Sequence, residues 1–265
     1  VIGAGISGII SAKIAAKKGL KTLLVDEKQN LGGSTIYQNS EHYKINNQTS
    51  GSWLEKEINE IKKIENLEIR LRTSVAAFHG YNFLLARENL TDHLPIEQRK
   101  NKTRQKLLKI RAKKVITATG SLERPLIFDN NDRPGIFLSS AIKKYIDFFG
   151  VACGENNILL TNNDSAYETV ISLIQKGIKV EAIIDNREHV DSKLLYEVEK
   201  NSIKVYKGFT IVDTFGYKRI NKVSIMQLSK DGQNVVGSKI NLACDCLGVS
   251  GGWTPAVHLL SLIHI

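Results

Sequence analysis

Val1-Ile-Gly-Ala-Gly-Ile-Ser-Gly8 sets Gly3, Gly5 and Gly8 in the G-x-G-x-x-G spacing, between a short apolar strand and an amphipathic run. Each glycine of such a turn has its own task. The first allows a tight exit from the strand, the second lets the backbone approach a pyrophosphate with no Cβ in the way, and the third lets the helix pack on the sheet. The helix start then offers unpaired N–H groups and a partial positive charge to phosphates. Outward from the turn, Ile6 to Lys18 reads as a helix with Ile9, Ile10, Ile14 and Ala15 on its apolar side and Gly19 as C-cap. Lys21-Thr-Leu-Leu-Val-Asp26 then reads as a buried strand with an acid at its end, 18 residues past Gly8. That is near where a ribose hydroxyl needs an acceptor. Gly32-Gly33-Ser34 follows the acid closely, and paired glycines there let the loop fold back over the pyrophosphate.

Residues 35 to 50 are polar and read as loop, and Ser52 to Ile64 reads as a helix through Trp53, Ile58, Ile61 and Ile64. Leu67 to Arg72 alternates as a third parallel strand. Thr73-Ser-Val75 at its end lies beside the adenine in a dinucleotide domain, with Val75 the candidate for backbone pairing to the ring. Ala76 to Lys114 reads as an antiparallel excursion turning at Gly80-Tyr81-Asn82. Val115 to Gly120 is a buried strand whose Thr119-Gly120 end passes close to the cofactor before the chain crosses to a second domain.

That domain opens a second βαβ unit: strand Asn157 to Thr161, helix Asp164 to Lys176 capped by Gly177, strand Lys179 to Asp185. Its loop, Asn162-Asn-Asp-Ser-Ala166, has no glycine and carries Asp164. Side chains crowd the phosphate position and the charge repels, so the fold is repeated while the second phosphate site is lost. Ser192 to Asn201 is helical. Ile203 to Tyr206, Thr210 to Asp213, Arg219 to Leu228 and Ile240 to Leu247 read as strands, with a hairpin at Lys230-Asp-Gly232. Gly248 to Pro255 is the return crossing. The fold class is therefore α/β, a Rossmann-like FAD/NAD(P)-binding domain with a second, inserted, degenerate Rossmann-like domain. The expected divisions are 1–124, 125–243 and 244–265. The first strand is expected to begin before Val1 and a glycine–aspartate segment to follow the last residue, so the sequence reads as part of a longer chain. Ser261 to Ile265 carry no motif.

The 265 residues, 42% hydrophobic and 24% charged, suit one large or two smaller soluble domains. No apolar run reaches the ~20 residues that span a bilayer, so no membrane partner is expected. Cys153, Cys244 and Cys246 form no C-x-x-C and sit near no His cluster, which leaves no redox pair and no metal site. They suit a reducing cytoplasm. The net charge of +10 is concentrated in Arg99 to Lys114. That stretch lacks aromatic residues for base stacking, so a solvated arm with Leu107, Leu108 and Ile110 turned inward is preferred over a nucleic-acid site. Contact with an acidic partner subunit is a further possibility.

Five blocks carry a resemblance. They are Leu90-Thr-Asp-His-Leu-Pro95, Ala118-Thr-Gly-Ser-Leu-Glu-Arg-Pro125, Asn130-Asn-Asp-Arg-Pro-Gly135, Thr161-Asn-Asn-Asp-Ser-Ala-Tyr167 and Val249-Ser-Gly-Gly-Trp-Thr-Pro-Ala-Val-His258. In this order they resemble the alpha subunit of heterotetrameric sarcosine oxidase, of which the chain would be the dinucleotide-binding portion. The resemblance implies NAD in the first site and amine oxidation on flavin in the beta subunit, with a second flavin at the alpha–beta interface (FAD and FMN in or against the partner). It also implies beta, gamma and delta partner subunits. The reaction implied converts sarcosine, oxygen and water to glycine, formaldehyde and hydrogen peroxide, with tetrahydrofolate capturing the one-carbon unit when present. By motif, Gly3, Gly5, Ser7 and Gly8 would face the pyrophosphate, Asp26 and Glu27 the ribose with Lys28 beside them, Gly33 and Ser34 the returning loop, and Val75 the adenine. Thr119 and Gly120 complete the cofactor set. An acid at Asp26 disfavours a 2′-phosphate, so NAD is expected over NADP. No catalytic residue is assigned. The alternatives are a free-standing enzyme with FAD in the same site moving hydride from NAD(P)H, and the equivalent subunit of an opine or proline dehydrogenase complex.

Overall fold

The computed structural model describes residues 1–37 and 44–261, so part of the expected 35–50 loop lies outside the described residues, as do residues 262–265. The chain forms two compact units, Val1–Ser121 with Pro255–Ile265, and Leu122–Thr254. No helix among the described residues is long and apolar enough to cross a membrane.

The first unit runs α1 (Ile6–Lys17), β1 (Thr22–Val25), a 3-10 turn (Gly33–Tyr37), β2 (Lys44–Ile45), β3 (Gln48–Thr49), α2 (Ser50–Ile61) and β4 (Leu67–Arg70). After these come β5 (Thr73–His79), β6 (Phe83–Asn89), α3 (Ile96–Arg99) and β7 (Gln105–Arg111). β1 and β4 pair in parallel from Thr22↔Leu67 to Val25↔Arg70. Ile2 extends this layer as a parallel bridge to both Val25 and Thr117, so the opening turn leaves the middle of a parallel arrangement. Val115 to Gly120 was expected as a buried strand; it contributes only that bridge and is half-exposed.

Helix α1 buries Gly8, Ile9, Ala12 and Ala16, while Ile14, expected inside, is 57% exposed. The small residues Ala12 and Ala16 face inward because a helix against a sheet packs closest over short side chains. Ala4, Ile9, Leu24, Leu31, Trp53, Leu54, Ile61 and Leu67 complete that core. α2 starts where Ser52 N–H donates to Thr49 Oγ1, at 3.3 Å. Lys13 Nζ of α1 reaches Glu57 at 2.6 Å and Glu60 at 2.7 Å across the two helices.

β5, β6 and β7 form an antiparallel sheet. Its first turn uses Tyr81 and Asn82 at φ +59° and +53°, the left-handed pair of a tight hairpin. The antiparallel excursion is thus present. Period-two alternation, however, puts Leu107 opposite Arg87 on the outer face, 64% exposed, while Ile110 packs beside Ile2, Val25 and Leu84.

The second unit runs β8 (Ser121–Glu123), β9 (Ile136–Leu138), α4 (Ser139–Phe149), β10 (Asn156–Thr161), α5 (Ser165–Gln175), β11 (Lys179–Asp185), α6 (Lys193–Lys200) and β12 (Lys204–Lys207). β13 (Phe209–Phe215), β14 (Lys222–Leu228), β15 (Val235–Ala243), β16 (Cys246–Ser250) and β17 (Trp253–Pro255) follow, before the short α7 (His258–Ser261) of the first unit. A parallel sheet in the order β12-β11-β10-β16-β9 is covered on one face by the helices. Its other face packs against the antiparallel sheet β13-β14-β15. β10 is accordingly apolar on both sides, Leu159 facing the helices and Ile158 and Leu160 the antiparallel sheet.

The expected single strand Ile240–Leu247 is two strands. Asp245 breaks it by accepting hydrogen bonds from Glu155 N–H at 3.0 Å and Asn156 N–H at 2.8 Å. The chain there passes from the antiparallel sheet to β16, which pairs with β10 and β9. Residues 244–254, read from the sequence as already returned to the first unit, thus lie in the second.

Candidate functional site

The three glycines of the opening turn are held differently. Gly3 has φ +96°, and a Cβ there would stand 2.3 Å from the Ala118 carbonyl oxygen. A Cβ on Gly8 would stand 1.8 Å from the Gly3 oxygen. These two glycines let the turn close on itself and on the Ala118 backbone. Gly5 is unlike them: it is the N-cap of α1, and the space in its Cβ direction is empty to 4 Å. No side chain caps α1, and its backbone ladder begins with Ile9 N–H donating to Gly5 O at 2.9 Å. The N–H groups of Ile6, Ser7 and Gly8 precede that bond and remain available at the positive end of the helix dipole.

The second glycine pair braces the first. Gly32 N–H donates to Ala4 O at 2.7 Å, and a Cβ on Gly33, at φ +59°, would come within 2.9 Å of Gly5 Cα. Ser34, next in chain, is exposed. The loop therefore lies against the glycine turn, and open space at Gly5 with free N–H groups beside it fits a diphosphate. An adenine dinucleotide held there would supply hydride-exchange chemistry. The groups of this chain that would hold it are the α1 N–H donors, Ser7 and the Gly32–Ser34 loop.

Asp26 closes β1, and its carboxylate is already engaged. One oxygen accepts from Ala4 N–H at 2.6 Å and the other from Lys28 N–H at 2.8 Å. It thereby ties the strand end to the glycine turn. Two further bonds fasten the next loop to the turn after β4: Thr73 N–H to Asp26 O at 2.8 Å, and Arg72 N–H to Lys28 O at 2.9 Å. Immediately beyond Asp26 an open cavity of about 310 Å³ is lined by Glu27, Lys28, Arg72, Ser74, Arg87 and Asn89.

Val75 is not at the end of a parallel strand. It lies in β5 opposite Ala86 of β6, with its side chain against the Ile2–Val25–Leu84 cluster. Its neighbour Ser74 faces the cavity instead. Thr119 Oγ1 donates to Ala256 O at 2.6 Å, and Ala256 N–H donates to Gly120 O at 2.9 Å. These two residues fasten the returning segment to the first unit. Arg72, Ser74, Arg87 and Asn89 were not singled out from the sequence. The usable signal was the alternation of β5 and β6 with their register, which sets Ser74 beside Arg87.

The corresponding place in the second unit is filled. Asp185, at the end of β11, is fully buried. It accepts from the Tyr167 hydroxyl at 2.8 Å and from Arg187 Nη2 at 2.8 Å, while Arg187 Nη1 reaches Asp164 at 2.8 Å. Burial, then the Asp185 charge, hold the Tyr167 phenol well above its ordinary range. Asn163 Nδ2 donates to the Ser250 hydroxyl at 3.0 Å, and Trp253 Nε1 to Ser165 Oγ at 3.1 Å. The position of a ribose-binding acid is thus an internal ion pair, and the loop where phosphates would rest is laced by side chains.

The model of the pyridine nucleotide-disulphide oxidoreductase family matches residues 1–264. Sarcosine oxidase subunit alpha from Corynebacterium sp. (strain P-1) is 34% identical over 263 residues, 98% of this chain and 27% of that protein. The namesake from Rhizobium meliloti (strain 1021) is 29% identical over 266 residues, 98% of this chain and 24% of that protein. The chain therefore spans about a quarter of the length of these curated relatives. Among solved structures, L-proline dehydrogenase from P. horikoshii superimposes with a TM-score of 0.68 at 21% identity, over 98% of this chain and 43% of its own. Lactococcus lactis thioredoxin reductase does so with a TM-score of 0.71 at 17% identity, over 98% and 78%. These two likenesses concern the fold.

Proposed function

The chain belongs to the pyridine nucleotide-disulphide oxidoreductase family, and from that premise we propose that it is the dinucleotide-holding part of a multisubunit sarcosine oxidase. The nucleotide proposed is of the NAD type, with FAD in the same site as the alternative. The observation that carries the reading is the contrast at the opening turn: Gly3 and Gly8 are closed against backbone while Gly5 is open. The two alpha subunits at 34% and 29% identity support the choice of complex.

The disulphide chemistry in the family's name has no seat here. Burial raises the thiols of Cys244 and Cys246 to about 12 and pushes Cys153 up as well, so none is a ready thiolate near neutral pH. The filled second loop argues against the flavin reductase alternative, which needs two working nucleotide sites in one chain. The proposed overall reaction turns sarcosine, oxygen and water into glycine, formaldehyde and hydrogen peroxide, with tetrahydrofolate taking the one-carbon unit when present. The chemistry lies in beta, gamma and delta partner subunits carrying FAD and FMN, in a cytoplasmic assembly. This chain binds and orients one nucleotide and is inactive alone.

The test is release of the nucleotide from the purified protein by acid. Absorbance near 260 nm alone supports a nicotinamide dinucleotide; added bands at about 370 and 450 nm support FAD. Protein with no nucleotide, and no affinity for one, refutes the reading.

A further inference from the structure

The sheet of β5, β6 and β7 buries one face and leaves the other open. Leu84 and Ala86 of β6 are buried, so Phe83, Leu85 and Arg87, which alternate with them, point the opposite way. The register sets Arg111 beside Phe83, Lys109 beside Leu85 and Leu107 beside Arg87 on that open face. Leu107 is 64% exposed there, and Arg87, Lys109 and Arg111 are exposed with it. No carboxylate shares the face, and none of the three cations forms an ion pair among the described residues. Glu88, on the other face, is held by Arg70 at 2.9 Å. Lys109 lies diagonal to Arg87 and two residues before Arg111. Like charges that neighbour one another on a sheet repel, so this surface is complete only with an outside counter-charge.

The connection that leads into β7, residues 90–104, is braced although it adds no side chain to the apolar core. The Asp92 carboxylate is held by Arg104 and by Gln105 Nε2 at 2.6 Å, and Arg99 donates to the Leu94 and Asp92 carbonyl oxygens, each at 2.6 Å. A fixed loop that presents Ile96 at 72% exposure costs conformational entropy that no core packing returns, and such loops serve recognition. We propose that the open face of β5-β6-β7, with this braced connection, is the docking surface for an acidic protein partner, whose carboxylates meet Arg87, Lys109 and Arg111 around an apolar centre that receives Leu85 and Leu107. An apolar centre with arginine at its margin is the composition of a protein interface, and charge of one sign steers the partner in. A nucleic acid would need a free ring for its bases. The Phe83 ring is already taken, with Arg111 Cζ 5.5 Å from its centroid and His79 stacked at 6.0 Å. The inference rests on the proposed reading of the chain as part of a subunit.

The full-length subunit is produced with and without its partner subunits, and both forms are labelled by hydroxyl radicals and read by mass spectrometry. Labelling of Leu107 and Leu85 is expected in the subunit alone and lost in the assembly. Leu107→Glu with Lys109→Glu should weaken assembly about tenfold or more by light scattering, with nucleotide content and melting temperature of the subunit unchanged, while Lys109→Arg should assemble like the wild type. A wild-type assembly that still labels at Leu107 and Leu85 overturns the proposal and leaves the subunit reading standing, as does a double variant that assembles normally. A face already shielded in the subunit alone belongs to another part of the same chain, which also overturns it. So does tight binding of a DNA duplex at about 0.15 M salt that the double variant loses, since the occupant is then a nucleic acid. Failure of the wild type to assemble with any partner removes the subunit reading itself, and this inference with it. Should the double variant fail to fold by circular dichroism, the wild-type labelling decides.

Discussion

Gly5→Ala and Gly8→Ala, three residues apart, should do opposite things. An alanine at Gly8 sets its Cβ 1.8 Å from the Gly3 oxygen and 2.9 Å from its carbon. The Gly3 backbone is itself hemmed in by the Ala118 carbonyl, which a Cβ on Gly3 would meet at 2.3 Å. Both obstacles are backbone, so the turn must open or α1 must move. Overpacking costs about 1–3 kcal/mol when side chains can adjust, and an unyielding backbone puts this case near the top of that range. At about 2–4 °C per kcal/mol for a chain of this size, the melting temperature should fall by roughly 6–12 °C. Gly5 has φ −72° and ψ −173°, which any residue adopts, and no atom within 4 Å of the new methyl. Its alanine should cost at most about 1 kcal/mol, the difference between glycine and alanine at an N-cap. That methyl, however, occupies the open space through which a diphosphate would approach the turn, so nucleotide retention should drop about tenfold or more. Thermal unfolding by circular dichroism and nucleotide content per chain read the two effects separately. Gly5→Ala melting as low as Gly8→Ala, or keeping its nucleotide like the wild type, would refute the division of labour.

Arg187→Ala strands the buried Asp185 carboxylate and should cost about 3 kcal/mol of unfolding free energy, read in urea, without changing the nucleotide stoichiometry. Burial lifts the Glu168 carboxyl from 4.5 to about 7. The folded chain thus holds a proton there that the unfolded chain has lost, and stability falls as pH rises through that window. Glu168→Gln should therefore gain about 2 kcal/mol above pH 7 and nothing below pH 4.5, and a flat difference between variant and wild type across pH would exclude this. With buried Cys244 and Cys246 and only Cys153 part-exposed, iodoacetamide at pH 8 should label at most one thiol in native protein. All three should react in denaturant, and fast triple labelling of the native chain would contradict the burial.

What could be read from the sequence is what local backbone geometry dictates. Gly3, Gly8 and Gly33 stand where a Cβ would strike backbone, so residue type and spacing identify them without knowledge of the rest. Asp26 was found the same way, but its employment was not, since both of its donors depend on how the turn folds back. Isoleucines run around much of α1, so periodicity could not choose between Ile14 and the smaller Ala12 and Ala16; contact with the sheet chose. Helix α4 went unassigned although Gly150 at φ +67° caps it. Asp245 divided a continuous apolar run by bonding to a segment 90 residues away. The cavity was least legible, because Lys28, Arg72 and Arg87 meet only through strand register and the bonds that pin one loop to another.

The ion pair inside the second unit also bears on how such a chain can change. Recovering a nucleotide site there by trading Asn162–Ala166 for glycines would leave Arg187 across the opening and Asp185 committed to Tyr167. Removing Arg187 first would leave an uncompensated interior charge. Each single step loses stability before any ligand can return it, so the lock works as an evolutionary ratchet: regaining the lost site requires several coordinated substitutions, and selection acting on one residue at a time meets a barrier at the outset.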